Sequence, residues 1–360
     1  MPPVPGALHS EMAFKMNDYY RYKKLRAAIV GASGYAGTEL LRLLLDHPDV
    51  TVTALYVSEQ SVDAGKLIYE IDGRLCSRTD LRLKPLSDPE AAAENVEIVF
   101  LATEHEVSAR LAPVFLEKGV KVFDLSGAFR LSDPKLYPKH YGFEHAHPEL
   151  LGEAVYALPE YVDEARLCAT NLISLPGCYP TASQLALRPL IDAGLLDLSM
   201  PPVIDAVSGV SGAGRKAKLS NAFCEVSLSA YGIFTHRHRP EIEEHLGGVP
   251  VIFNPHLGAF KRGILATITA RLAPGAIEEA IRRAYESAYL ERAFVRVREG
   301  LPKLDDVVNQ PYCDIGFKVS DSGYIVIVSA IDNLLKGAAS QAVQAMNLRL
   351  ELPEDAGFSV

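Results

Sequence analysis

Three short stretches of the 360-residue chain carry side chains suited to covalent chemistry on a small molecule. The first is Leu175-Pro176-Gly177-Cys178-Tyr179-Pro180-Thr181, a cysteine between a Pro-Gly turn and the expected start of a helix. Pro180 suits the first turn of that helix, where its missing N–H leaves nothing unpaired. A thiol at a helix N-terminus sits in the positive end of the helix dipole, which favours the thiolate nucleophile. The second stretch is Thr235-His236-Arg237-His238-Arg239-Pro240-Glu241. It supplies imidazoles for proton transfer and guanidinium groups for an anion, and Glu241 is placed to orient an imidazole. If extended, it would send His236 and His238 to one face and Arg237 and Arg239 to the other. A metal would need a third ligand beside His-x-His, for which Cys178 is conceivable, but no metal is expected. The third stretch is Val207-Ser208-Gly209-Val210-Ser211-Gly212-Ala213-Gly214-Arg215-Lys216, whose small residues and cations suit a nest of N–H groups for an oxyanion.

These groups need a scaffold, and the N-terminal half of the chain describes one. Leu25 to Val30 reads as a strand, Gly31-Ala32-Ser33-Gly34-Tyr35-Ala36-Gly37 follows directly, and Thr38 to Leu45 reads as a helix. This is a G-x-x-G-x-x-G variant of the dinucleotide fingerprint. Gly31 permits the tight turn, Gly34 lets a pyrophosphate approach the backbone, and Gly37 lets helix and strand pack closely. Strands at 50–57, 96–101 and 120–125 with a helix at 106–117 predict a parallel sheet covered on both faces. Asp124-Leu125-Ser126-Gly127-Ala128-Phe129-Arg130 falls at the C-terminal end of a strand, where open α/β sheets bind ligands. The second strand ends at Ser58, not at an acid. That favours NADP(H) over NAD, with Lys66 as a candidate countercharge and Glu59 as the one residue against it. The stretch 167–187 is uncharged but interrupted, and reads as a core strand and core helix. Beyond it, strands at 203–208, 251–253, 263–271, 313–318 and 323–330 with a helix at 276–289 predict a mixed or antiparallel sheet, and so an α+β second domain. A helix rich in small residues, 332–350, is expected to return to the first.

Composition narrows the partners. A net charge of −9, without a basic run, excludes nucleic acid and anionic membrane as main partners. Five scattered cysteines argue for reduced thiols and a cytoplasmic location. Residues 1–24 read as a loose extension with no targeting signal.

The sequence resembles the N-acetyl-γ-glutamyl-phosphate reductase family of arginine biosynthesis. The resemblance rests on GASGYAG (31–37), VFLATEHEVS (99–108), VFDLSGAFR (122–130), LPGCYPT (175–181), SGVSGAGRK (208–216), THRHRPEI (235–242) and DNLLKGAA (332–339), and covers about residues 25–350. It implies an α/β fold: a Rossmann doubly wound parallel sheet (25–177 and 331–360) plus an α+β catalytic and oligomerisation domain (178–330) like that of glyceraldehyde-3-phosphate dehydrogenase. It implies NADPH-dependent reduction of an acyl phosphate through a cysteine thioester, in a homodimer or homotetramer acting on a small-molecule substrate. By this resemblance Cys178 is the nucleophile and His238 the acid/base. Arg130, Ser208, Gly212, Arg215, His236 and Glu241 shape the substrate site, and Ser33, Gly34, Tyr35, Ser58 and Asn333 line the NADP site. The chain departs from the family at Ala102-Thr103-Glu104-His105-Glu106, where many members read Leu-Pro-His-Gly, and in its N-terminal extension. Aspartate-semialdehyde and aminoadipate-phosphate reductases share the architecture. A cysteine hydrolase would leave the glycine loop idle, and a non-catalytic nucleotide sensor would not need HRHRPE.

Overall fold

The computed structural model describes residues 24–358; the expected N-terminal extension lies, but for its last residue, outside them. Two seven-stranded sheets organise the chain. The first contains β1 (Leu25–Val30), β2 (Val50–Val57), β3 (Leu83–Pro85), β4 (Ile98–Leu101), β5 (Lys121–Asp124), β6 (Val155–Tyr156) and β7 (Leu172–Ser174). Their spatial order is β3-β2-β1-β4-β5-β7-β6, and every pairing is parallel. A parallel sheet is buried on both faces, which explains why β4 reads as an unbroken apolar run and β1 as one interrupted only by Arg26 near its start. The order reverses at β1, between β2 and β4. The crevice outside the carboxyl ends of the strands is therefore at the glycine loop and at the loop after β4.

The helices α1 (Tyr35–Leu44) and α2 (His105–Glu117) belong to this layer. A third, α3 (Cys178–Asp192), leaves the first sheet straight after β7 and is almost wholly buried against the second. The second sheet has the order β12-β13-β14-β11-β8-β10-β9. Its strands are β8 (Val203–Gly209), β9 (Ser229–Ala230), β10 (Ile252–Gly258), β11 (Ile264–Arg271), β12 (Val295–Val297), β13 (Cys313–Val319) and β14 (Tyr324–Ile331). The sheet is mixed: β8 pairs parallel with β10 and antiparallel with β11. Helices α4 (His238–His245) and α5 (Glu278–Tyr289) complete this half. The alternation of β11, with Ile264, Ala266 and Ile268 buried and Leu265, Thr267 and Thr269 half-buried, sets one face on the core.

The chain then returns as the sequence suggests. After β14 comes a π-helical turn, Leu335–Ala339, and then α6 (Ser340–Arg349). Leu335, Ala339, Ala342, Val343 and Met346 pack into the first-sheet core with Leu40, Leu41 and Ile29. Lys336 is fully buried on this turn and pairs with Glu160 and Gln344. A buried ammonium is tolerated only with such partners. They fix the turn whose next residue, Gly337, lies against Cys178: a Cβ there would fall 2.7 Å from the cysteine Cβ.

Candidate active site

Gly177 is the N-cap of α3 and Cys178 its first residue. No side chain caps this helix and no acid occupies its first turn, so its N-terminal field falls on the thiol. The field does not decide the outcome alone. Burial pushes the Cys178 thiol above its usual pKa, while Arg130, the Tyr179 N–H and Arg237 pull it down. Burial thus opposes the thiolate that the helix position alone favours.

His238 stands over the same corner. It opens α4, is buried, and its ring presses on Gly177: a Cβ there would lie 2.6 Å from His238 Nε2 and 2.8 Å from Arg130 Nη1. Burial, then the neighbouring His236, Arg237 and Arg130, hold its pKa well below 6.5, so it is a neutral base at pH 7. Its Nδ1 is buried without a hydrogen-bond partner. His236 is likewise pushed to about 3 by burial and Arg237, and its ring lies 4.9 Å from that of His238. The expected split of His and Arg onto opposite faces of an extended run does not occur, because the run folds into the start of α4.

Glu241 corrects a second expectation. It does not orient an imidazole. Its fully buried carboxylate accepts the Gly177 N–H at 2.7 Å and the Tyr156 hydroxyl at 3.0 Å, and pairs with Arg130 at 3.4 Å. Tyr156 in turn accepts from Gln184 on α3 and stacks on His245. Glu241 therefore fixes the backbone that carries the thiol. Arg130 reaches this point because Asp124 accepts the Ser126 N–H and hydroxyl, which folds the loop after β5 back. Its guanidinium donates to the Leu175 and Leu125 carbonyls.

The remaining residues divide between two places. Ser208 and Gly212 lie together, 3.1 Å from the Ser208 hydroxyl to a Cβ built on Gly212, and face Asn333. The Asn333 amide is spent inside the protein, accepting from the Gly263 N–H and donating to Ser211. The expected N–H nest at 208–216 is also partly closed: the N–H groups of Gly209, Val210 and Ser211 donate to Gly263, Phe260 and Lys261 carbonyls. Arg215 is not brought to the thiol. It pairs with Asp63 and donates to the Ser33 carbonyl, beside the glycine loop. Lys66 pairs with the same Asp63 at 2.8 Å.

The glycine loop has the shape a dinucleotide requires. Gly31 has φ of +85°, and a Cβ there would collide with the Ala102 carbonyl. A Cβ on Gly37 would lie 2.6 Å from the Gly31 carbonyl. Gly34 caps α1 without a side-chain bond, and no acid follows in the first turn. Ser33 and Tyr35 line a cleft of about 550 Å³ shared with Arg215 and Arg262 of the second half. Ser58 is exposed at the end of β2, and Glu59 beside it is exposed too.

Two groups in this region were not singled out as site residues from sequence. His105, at the start of α2, accepts the Gly127 N–H at 2.7 Å and is pushed to about 3 by burial, Arg237 and Arg130. Tyr141 packs edge-on to His105 and against Gly127, with its hydroxyl buried and unpartnered. Only its position twelve residues after Phe129 speaks for it, and that is no signal. Among the described residues no group of three or more His, Cys, Asp or Glu is gathered for a metal, and no helix is long and apolar enough to cross a membrane.

Comparison with known proteins follows the same division. Residues 26–167 match the family model described as semialdehyde dehydrogenase, NAD binding domain, and residues 178–333 the one described as semialdehyde dehydrogenase, dimerisation domain. N-acetyl-gamma-glutamyl-phosphate reductases of Pectobacterium carotovorum (57% identical, 92% of this chain and 98% of that protein) and Pasteurella multocida (57%, 92% and 99%) align along nearly the full length. The Escherichia coli K12 reductase is 56% identical over 92% of this chain and 98% of its own. Among solved structures, aspartate semialdehyde dehydrogenase II from Vibrio cholerae, complexed with ASA, superposes with a TM-score of 0.70 at 19% identity, covering 91% of this chain and 99% of its own. That likeness is one of fold.

Proposed function

Because the chain belongs to the N-acetyl-gamma-glutamyl-phosphate reductase family, we propose that this site works by covalent catalysis at Cys178 during reduction of N-acetyl-L-glutamyl 5-phosphate to the 5-semialdehyde. The chain is an oxidoreductase, and its cofactor is NADP(H). The observation that carries the mechanism is the corner where neutral His238 presses on Gly177, one residue before the thiol.

His238 takes the proton of Cys178, which offsets the burial that keeps the thiol neutral. The sulfur attacks the acyl carbon, the bond from that carbon to the phosphate oxygen breaks, and phosphate leaves a thioester. NADPH, when bound, supplies the hydride that reduces the thioester carbonyl. The imidazolium of His238 protonates the resulting oxygen. Collapse of the hemithioacetal then releases the aldehyde, and the thiol regains its proton. Glu241 and Arg130 hold the Gly177 corner throughout, and His236, Ser208 and Gly212 complete the wall around the acyl group. Ser33, Gly34 and Tyr35 would hold the pyrophosphate, with Gly31 and Gly37 shaping the turn, while Ser58 leaves room for the 2′-phosphate. Arg215 and Lys66, paired through Asp63 beside Ser33, belong on this cofactor side. Asn333 supports the wall between the two.

We assign 25–177 with 331–360 to the cofactor domain and 178–330 to the catalytic and oligomerisation domain. The half-buried face of the second sheet, including Leu265 and Thr267, supports a homodimer or homotetramer. The unpaired cysteines support a reducing, cytoplasmic setting. The test is the reverse reaction: phosphate-dependent reduction of NADP⁺ with N-acetylglutamate semialdehyde, compared with aspartate semialdehyde. Activity confined to the acetylated aldehyde is expected. Preference for aspartate semialdehyde would keep the chemistry and refute the substrate.

A further inference from the structure

Four arginines come from the stretches that build the site, and three are committed to the protein itself. Arg130 is held by two carbonyls and Glu241. Arg215 pairs with Asp63. Arg239 pairs with Glu243 at 2.9 Å and turns over the Phe234 ring. Arg237 is different. It is exposed, and among the described residues no hydrogen bond or ion pair engages its guanidinium. It is nevertheless fixed at the site, as the N-cap of α4 between His236 and His238, whose rings lie 4.9 Å apart. Its charge bears on groups from four separate segments: His105, Tyr141, Cys178 and the His236–His238 pair. The His238 ring beside it reaches Gly177, one residue before the thiol, so Arg237 is carried on the segment that builds this corner.

The balance of charge there is incomplete. Glu241 answers Arg130, and the three imidazoles are neutral at pH 7. Arg237 is left as a cation beside His236 and His238, with no ion-pair partner among the described residues. The substrate of the proposed reaction has two anionic groups, a phosphoryl and a carboxylate, and a guanidinium fork binds either in a bidentate manner. We propose that Arg237 binds an anionic oxygen group of the substrate beside Cys178 and so is a direct substrate-binding residue. This rests on the reductase reading given above.

The test uses the full chain in the reverse direction, with Arg237→Gln and Arg237→Lys. Arg237→Gln is expected to raise one KM, for inorganic phosphate or for the semialdehyde, by about tenfold to a hundredfold, the range for one charge-assisted contact. A change for phosphate assigns the phosphoryl group, and a change for the semialdehyde assigns the carboxylate. The KM for NADP⁺ should move less than about twofold, and lysine should restore part of the loss because it keeps the charge but not the fork. If neither KM moves in Arg237→Gln, the proposal is wrong. A second readout needs no turnover. The pH profile for alkylation of Cys178 by iodoacetamide should shift to higher pH in Arg237→Gln, and an unchanged profile would show that Arg237 does not face the thiol. Failure of the wild-type protein to use the acetylated aldehyde would instead count against the substrate reading, with the alkylation profile still deciding the placement of Arg237.

Discussion

Replacing Gly177 by alanine tests the close approach of His238 to the corner that carries the thiol. Gly177 has φ of −68° and ψ of 159°, which alanine adopts freely. At such a position Gly→Ala by itself stabilises a protein by about 0.4–1 kcal/mol, through the unfolded chain. Here the added methyl would lie 2.6 Å from His238 Nε2, 2.8 Å from Arg130 Nη1 and 2.9 Å from His238 Cε1. Arg130 cannot withdraw, because Leu175, Leu125 and Glu241 hold it, so His238 must move. Overpacking of this kind costs about 1–3 kcal/mol, leaving a net loss of about 1 kcal/mol after the unfolded-state gain. Displacing the base by up to ~1 Å lowers kcat/KM by about a hundredfold. Urea denaturation reads the first effect and steady-state kinetics the second. A variant that is more stable than the parent and within about twofold of its activity would refute the close approach of His238 to this corner.

Three further predictions follow from the geometry around this point. Glu241→Gln leaves the buried Arg130 charge unanswered and should lower the urea-derived stability by about 3–5 kcal/mol. His245 is held near 4 by burial, so it supports the fold above its unfolded pKa of 6.5 and withdraws that support as the pH falls towards 4. At pH 5 its share amounts to about 2 kcal/mol, and His245→Gln should lose correspondingly less stability than the parent between pH 7 and pH 5. Ser58→Glu should raise the KM for NADP⁺ at least about tenfold while sparing NAD⁺, by placing an acid where a 2′-phosphate would lie; an unchanged ratio would move the 2′-phosphate elsewhere.

What could be read from the sequence was what local pattern encodes. The β1–glycine loop–α1 unit is legible because strand, turn and helix chemistry are contiguous, and Cys178 at the head of α3 follows from Gly177 and Pro180 nearby. The second sheet was legible as the strands of a mixed or antiparallel sheet, but which strands pair was not, since nothing local tells β8 to run parallel to β10. The partner of Glu241 was misread because it is the backbone of Gly177, 64 positions away, and an acid three residues after a histidine looks like its orienting group. Arg215 was misplaced for the same reason: Asp63 comes to it only when the two halves meet, 152 positions apart. At Cys178 the helix-dipole direction is visible in sequence, whereas the burial that opposes it is not, since His238, Arg130 and Gly337 arrive from three other segments.

The central claim is that Cys178 carries the acyl group. It is tested most directly by mixing the protein with N-acetylglutamate semialdehyde and NADP⁺ in phosphate-free buffer. The account predicts a burst of about one NADPH per active site, a matching acyl adduct on Cys178 by mass spectrometry, and neither in Cys178→Ser. Turnover without a burst, an adduct on another residue, or a full burst from Cys178→Ser would contradict it.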